Sequence, residues 1–138
     1  MEPLKPEEIP VGVVGLGMMG CSIAACLAMA GHPVIAIAPI PADLEKAFPT
    51  IYGHLEKSYD EGLIQKAADQ LADNLTISQD YTLLAPCKLV IECTIEDPVI
   101  KQTVYGLIEQ QVGEDTLITS NTSAIPISTL QEYIKVPA

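Results

Sequence analysis

Val11-Gly12-Val13-Val14-Gly15-Leu16-Gly17-Met18-Met19-Gly20 decides how this chain is read. An apolar run enters three glycines spaced as G-x-G-x-x-G, and an Ala-rich run, 21–30, leaves them. That succession predicts a strand, a tight turn and a helix. The three glycines serve separate physical ends. Gly15 permits the sharp turn, Gly17 lets the backbone approach a pyrophosphate, and Gly20 lets the helix lie close on the strand. The first N–H groups of a helix lack intrahelical partners, so a diphosphate suits them. Glycine turns are common. It is the strand before and the helix after that point to a dinucleotide, with Gly15, Leu16, Gly17, Met18, Met19 and Gly20 as its contacts.

Outward from this stretch, strands alternate with helices, which predicts a parallel sheet covered on both faces. The first helix, 18–30, stops at Gly31, and an apolar strand, 34–38, is ended by Pro39 and Pro41. Residues 43–74 read as a helical hairpin of about 30 residues, interrupted early by Pro49 and broken at Gly62. Tyr52, Leu55 and Tyr59 form one stripe, and Leu63, Ala67 and Leu71 a second. A crossover needs only one helix. The hairpin is therefore either an elaboration that reaches a substrate or partner, or ordinary core packed on the sheet. Strands over 75–78, 88–94 and 116–119, a helix over 97–111 and another after Pro126 complete the pattern. The fold class is α/β: a Rossmann-type, doubly wound parallel sheet with a helical-hairpin insertion. Residues 1–10 form a polar leading segment and residues 11–138 one dinucleotide-binding domain.

Composition narrows the function. Forty-nine per cent hydrophobic and 18% charged residues describe a folded chain, and no apolar run reaches the roughly 18 residues of a membrane span. No signal-peptide core precedes Val11, so a soluble, cytoplasmic protein with no membrane partner is expected. Eighteen acidic residues against seven lysines and no arginine give a net charge of −11, which disfavours nucleic acid. The missing arginine also favours NAD over NADP, whose 2′-phosphate is usually held by one. Cys21, Cys26, Cys87 and Cys93 show no CxxC pairing and read as small buried residues, with no metal site expected.

Ligands of such sheets bind outside the carboxyl ends of the strands. Besides the glycine turn, two polar clusters fall there, 92–101 and 120–123. Thr94, Glu96 and Lys101 from the first, and Asn121 and Ser123 from the second, are the candidate cofactor residues. Glu96 and Lys101 are placed to approach the ribose and nicotinamide from one edge. Their plainer readings are a charge at a helix start for Glu96, a solvated lysine for Lys101, and a turn with a helix cap for 120–123.

Taken together, Val11 to Gly20, Ala30-Gly31-His32, Leu89-Val90-Ile91-Glu92 with Glu96 and Lys101, and Ser120-Asn121-Thr122-Ser123 resemble the NAD-binding domain of 3-hydroxyacyl-CoA dehydrogenase, in order and spacing, from residue 10 onward. The resemblance implies that Glu96 and Lys101 contact the cofactor, that Ser123 lies between nicotinamide and substrate, and that the hairpin projects and helps hold acyl-CoA. It implies oxidation of 3-hydroxyacyl-CoA to 3-oxoacyl-CoA, with any homodimer formed through a C-terminal domain. Two departures stand out. The family's acidic residue at the end of the second strand, which accepts hydrogen bonds from the adenosine ribose, is replaced by Ala38, with Asp43 the nearest carboxylate downstream. NAD binding is expected to weaken, and Ala38→Asp to strengthen it by about one decade. The family's catalytic His, in a His-Phe-Phe-Asn-Pro stretch, and its Glu follow the segment resembling 134–138, and neither His32 nor His54 replaces it. The ending Val136-Pro137-Ala138 thus reads as a cofactor domain without its catalytic partner, inactive alone. Two other readings remain: a 3-hydroxyisobutyrate- or 6-phosphogluconate-type dehydrogenase, and a non-catalytic nucleotide-binding module.

Overall fold

The computed structural model describes residues 2–134; the ending at 136–138 lies outside them. Five short strands, β1 (Val11–Val14), β2 (Val34–Ile37), β3 (Leu75–Ser78), β4 (Leu89–Glu92) and β5 (Leu117–Ser120), form one sheet in the order β3-β2-β1-β4-β5. Every pair is parallel, with Val11 opposite both Val34 and Leu89. The order reverses at β1, so the carboxyl ends of β1 and β4 flank the crevice where a ligand is expected.

Side chains alternate across the sheet, and the core divides accordingly. Val13, Val34, Ala36 and Ala38 pack with α1 (Met18–Met29), α2 (Pro41–Asp60) and α3 (Ala68–Ala72). Val14, Ile37 and Val90 pack on the other face with α4 (Pro98–Glu109) and α5 (Ile127–Gln131). Burial on both faces explains why β1 and β2 read as continuous apolar runs.

The hairpin differs from expectation. Pro49 does not interrupt α2, because it sits on the exposed side, where water can serve the Glu45 carbonyl that lost its N–H partner. The second arm is short: residues 63–67 are not helical, Leu63 is exposed, and only α3 remains, anchored by Ala68 and Leu71. On α2, Ala47, Ile51 and Leu55 are buried against the α1 side of the sheet, so this part of the hairpin is ordinary core. Phe48 and Tyr52 stack beside that buried stripe, with ring centroids 5.6 Å apart. A 3-10 turn, Tyr81–Leu84, was not anticipated; Asp80 caps it by accepting from the Thr82 amide and hydroxyl. Its signal was an Asx residue two before a threonine. Of the cysteines, Cys21 and Cys87 are buried as expected, Cys93 is half-buried and Cys26 is exposed.

Candidate functional site

At the carboxyl end of β1, Gly15 takes φ 103°, a conformation closed to most side chains, and a Cβ there would meet the Cys93 carbonyl and the Thr94 amide at 2.6 to 2.8 Å. Gly20 is required for a different reason: its missing Cβ would overlap the Gly15 carbonyl oxygen. The turn is thus pressed between the exit of β4 and the first turn of α1. Above Gly17, by contrast, the space is open, with no atom within 4 Å of where a Cβ would stand. Gly17 is also the N-cap of α1, with no side-chain cap and no acidic residue in the first turn. A helix start left open and free of negative charge is what an anion requires. Leu16 is buried and anchors the turn, while Met18 and Met19 are exposed beside it.

The second helix start on this edge is closed. Asp97 caps α4 by accepting from the amides of Val99 (2.9 Å) and Ile100 (3.1 Å), so this helix start, unlike that of α1, has its first amides already satisfied. Asp97, not Glu96, serves the helix dipole. Between the exits of β2 and β3 and the first turns of α4 lies a cavity of about 320 Å³, lined by Ala38, Pro39, Gln79, Val99, Ile100 and Thr103. Its mostly apolar walls beside the glycine turn suit a flat heterocycle. Ala38 offers no polar side chain and is fully buried in the α1–α2 core. A cavity of about 340 Å³ near Gly106, Gly113 and Thr116 lies at the opposite, amino end of β5.

Charge gathers at the exits of β4 and β5. Glu92, the last residue of β4, is completely buried and accepts five hydrogen bonds. Its Oε2 receives the Thr94 amide (2.7 Å), the Thr94 hydroxyl (2.6 Å) and the Lys101 ammonium (2.6 Å). Its Oε1 receives the hydroxyls of Tyr105 and Ser120, each at 2.7 Å. Burial pushes the Glu92 carboxyl up, but donation by Lys101, Thr94, Tyr105 and Ser120 outweighs it, and the group ionises below its ordinary range. Lys101 is not the solvated lysine of its plainer reading. It is buried, and its ammonium also donates to the Thr94 carbonyl (3.1 Å) and lies 3.5 Å from Glu96. Glu96 is partly exposed and joins the two exits: its Oε2 accepts from the Thr122 hydroxyl (2.8 Å) and the Ala124 amide (3.2 Å). The Thr122 hydroxyl holds the Glu96 carboxyl below its ordinary range, helped by the Ala124 amide and the charge of Lys101.

Thr94, Glu96 and Lys101 are therefore brought together, with Thr122 as a partner. Asn121 and Ser123 stand exposed on the rim above them, and α5 is not capped by any side chain of residues 120–123. Glu92 opens the polar cluster 92–101 but was not among the residues expected to serve the cofactor. Its signal was a carboxylate closing an apolar strand, which burial would forbid without several donors. His32 bonds the Ile9 carbonyl (2.9 Å) at the amino end of the sheet, away from this edge. Among the described residues no cluster could hold a metal ion, and no helix is long and apolar enough to cross a membrane.

Comparison with known proteins gives the family and the fold. A family model described as the NAD binding domain of 3-hydroxyacyl-CoA dehydrogenase matches residues 10–138. The chain is 33% identical over 129 residues to a 3-hydroxybutyryl-CoA dehydrogenase of Mycobacterium tuberculosis, covering 92% of this chain and 45% of that protein. It is also 33% identical over 126 residues to the fatty acid oxidation complex subunit alpha of Colwellia psychrerythraea, covering 91% of this chain and 18% of that protein. The crystal structure of FadB2 from M. tuberculosis superposes with a TM-score of 0.85 at 33% identity, over 92% of this chain and 45% of that one. The chain thus spans less than half of these relatives' length.

Proposed function

Because the chain belongs to the 3-hydroxyacyl-CoA dehydrogenase NAD-binding domain family, we propose that it is the cofactor half of an enzyme that oxidises 3-hydroxyacyl-CoA to 3-oxoacyl-CoA in fatty-acid metabolism. NAD, the cofactor of this family, supplies the hydride acceptor. The pyrophosphate rests on residues 15–20 and the N-terminus of α1, and adenine enters the cavity beside Ala38. The nicotinamide ribose meets Thr94 and Glu96, with Lys101 beneath them. Asn121 and Ser123 face the nicotinamide and the acyl-CoA. A general base for the 3-hydroxyl comes from outside these residues, as does any homodimer contact, and the enzyme works in the cytoplasm. The observation that carries this reading is the uncapped start of α1, free of acidic residues, with open space above Gly17 between the tightly packed Gly15 and Gly20.

Gly17→Val tests it cleanly, because its side chain would enter open space in the fold but occupy the path of the diphosphate. Calorimetric titration should show NAD bound at least tenfold more weakly, the loss of charged hydrogen bonds of about 1.5–3 kcal/mol, with Tm lowered by only the few degrees that a poorer N-cap costs. Equal affinity would refute the glycine-turn assignment. The buried, apolar Ala38 favours one second reading, a nucleotide-binding module without catalysis. Failure of the parent chain to bind NAD while binding another adenine nucleotide would select it.

A further inference from the structure

We propose that Glu92 is the positioning residue of the cofactor cleft, a buried carboxylate that holds the β4 and β5 exit loops in the arrangement that receives the nicotinamide half of the dinucleotide. This rests on the NAD reading above.

The pairing of β4 does not need a charge at this position. Its ladders to β1 and β5 are backbone bonds, and a well-packed apolar side chain in place of a buried ion pair is often neutral or stabilising. What the carboxylate adds is direction. Through Oε2 it fixes Thr94, whose amide lies against Gly15, so the exit of β4 and the glycine turn share one register. Through the same oxygen it fixes Lys101, whose ammonium then faces both the Thr94 carbonyl and Glu96. Through Oε1 it accepts a hydrogen bond from the Ser120 hydroxyl, which leaves the Ser120 oxygen to accept from the Thr122 amide (3.1 Å). Thr122 is consequently gripped twice, at its amide by Ser120 and at its hydroxyl by Glu96. Both grips lead back to Glu92, one through Ser120 and one through Lys101. Even the Glu92 main chain joins in, its carbonyl accepting from the Asn121 amide (2.9 Å). Ser123, one residue on, inherits its position from this arrangement.

Lys101 accordingly acts through Glu96 and Thr94. Its ammonium is committed within the protein, whereas Glu96 keeps part of its carboxylate exposed to the cleft.

Glu92→Gln keeps the shape of the side chain and removes its charge. The expected result is NAD bound at least tenfold more weakly, with hydrogen exchange at the Thr94 and Thr122 amides at least tenfold faster in the cofactor-free protein. The double variant Glu92→Gln/Lys101→Met removes the orphaned buried charge. It should regain most of the Tm lost by the single variant without regaining NAD affinity. A purely structural role predicts instead that the folded single variant loses Tm while NAD affinity and exchange at the Thr94 and Thr122 amides stay as in the parent. Should Glu92→Gln fail to fold, Ser120→Ala severs only the route to the Thr122 amide, and should speed exchange at Thr122 and weaken NAD several-fold. NAD affinity within twofold of the parent in the folded single variants, or exchange unchanged in both, overturns the proposal. A parent chain that binds no NAD overturns the cofactor reading, and Glu92 then positions nothing.

Discussion

Ala38 shows how one residue can be legible by type and illegible by setting. The family resemblance implies an acidic residue at this place to accept from the adenosine ribose, and on that ground alone Ala38→Asp should strengthen NAD binding. Ala38 is fully buried among residues of α1 and α2, and its amide already donates to the Ser78 carbonyl (2.9 Å). A carboxylate there must leave water before it can meet a ribose. The expected outcome of Ala38→Asp is a Tm several degrees lower without cofactor and a larger rise on saturation with NAD than in the parent. Thermal scans with and without NAD check this, and a parallel fall in both conditions would remove the ribose from this position. Glu92 is the converse case. The sequence displays the residue but hides its five donors, since Tyr105 and Ser120 reach it only after the helix and strand have packed.

Among the elements, the strands and the α1 turn were readable because burial on both faces leaves one apolar signature and the glycines one geometry. The hairpin was less so, since a proline or glycine in the sequence carries no sign of which face of the helix it occupies. Pro49 suggests a break, yet twelve residues of α2 follow the first eight because Ala47, Ile51 and Leu55 pack on one face while Pro49 faces water. The helix nonetheless lacks one hydrogen bond there. Pro49→Ala should restore it and raise stability by about 1–3 kcal/mol, the helix-propensity difference less the entropy proline removes from the unfolded chain. Urea denaturation should show a higher midpoint at the same slope. A lower midpoint would mean that the proline ring makes packing contacts worth more than the bond.

At the scale of the whole molecule, acid and alkali should each unfold the domain for a separate reason. The carboxyls of Glu92 and Glu96 ionise below their ordinary range in the folded chain, so they contribute stability above about pH 4.5 that is lost as pH falls through the folded values. Burial pushes the thiols of Cys87 and Cys93 up to about 11. Their contribution is present below about pH 9, where unfolded thiols begin to ionise, and is lost as pH rises toward 11. Tm should therefore be flat between about pH 5 and 9 and fall on both sides. In Glu92→Gln the acid limb should become shallower, and an unchanged acid limb would place its origin elsewhere. The sheet order has a consequence in time. Of these five strands β1 is the first to leave the ribosome, yet one of its two partners, β4, begins only at Leu89. During synthesis its free edge therefore waits, apolar and unpaired, while the α1, α2 and β3 units assemble beside it. Such non-local closure makes folding slow and leaves the nascent chain open to edge-to-edge association, so chaperone supply and translation speed should govern the yield of this domain more than its final stability does.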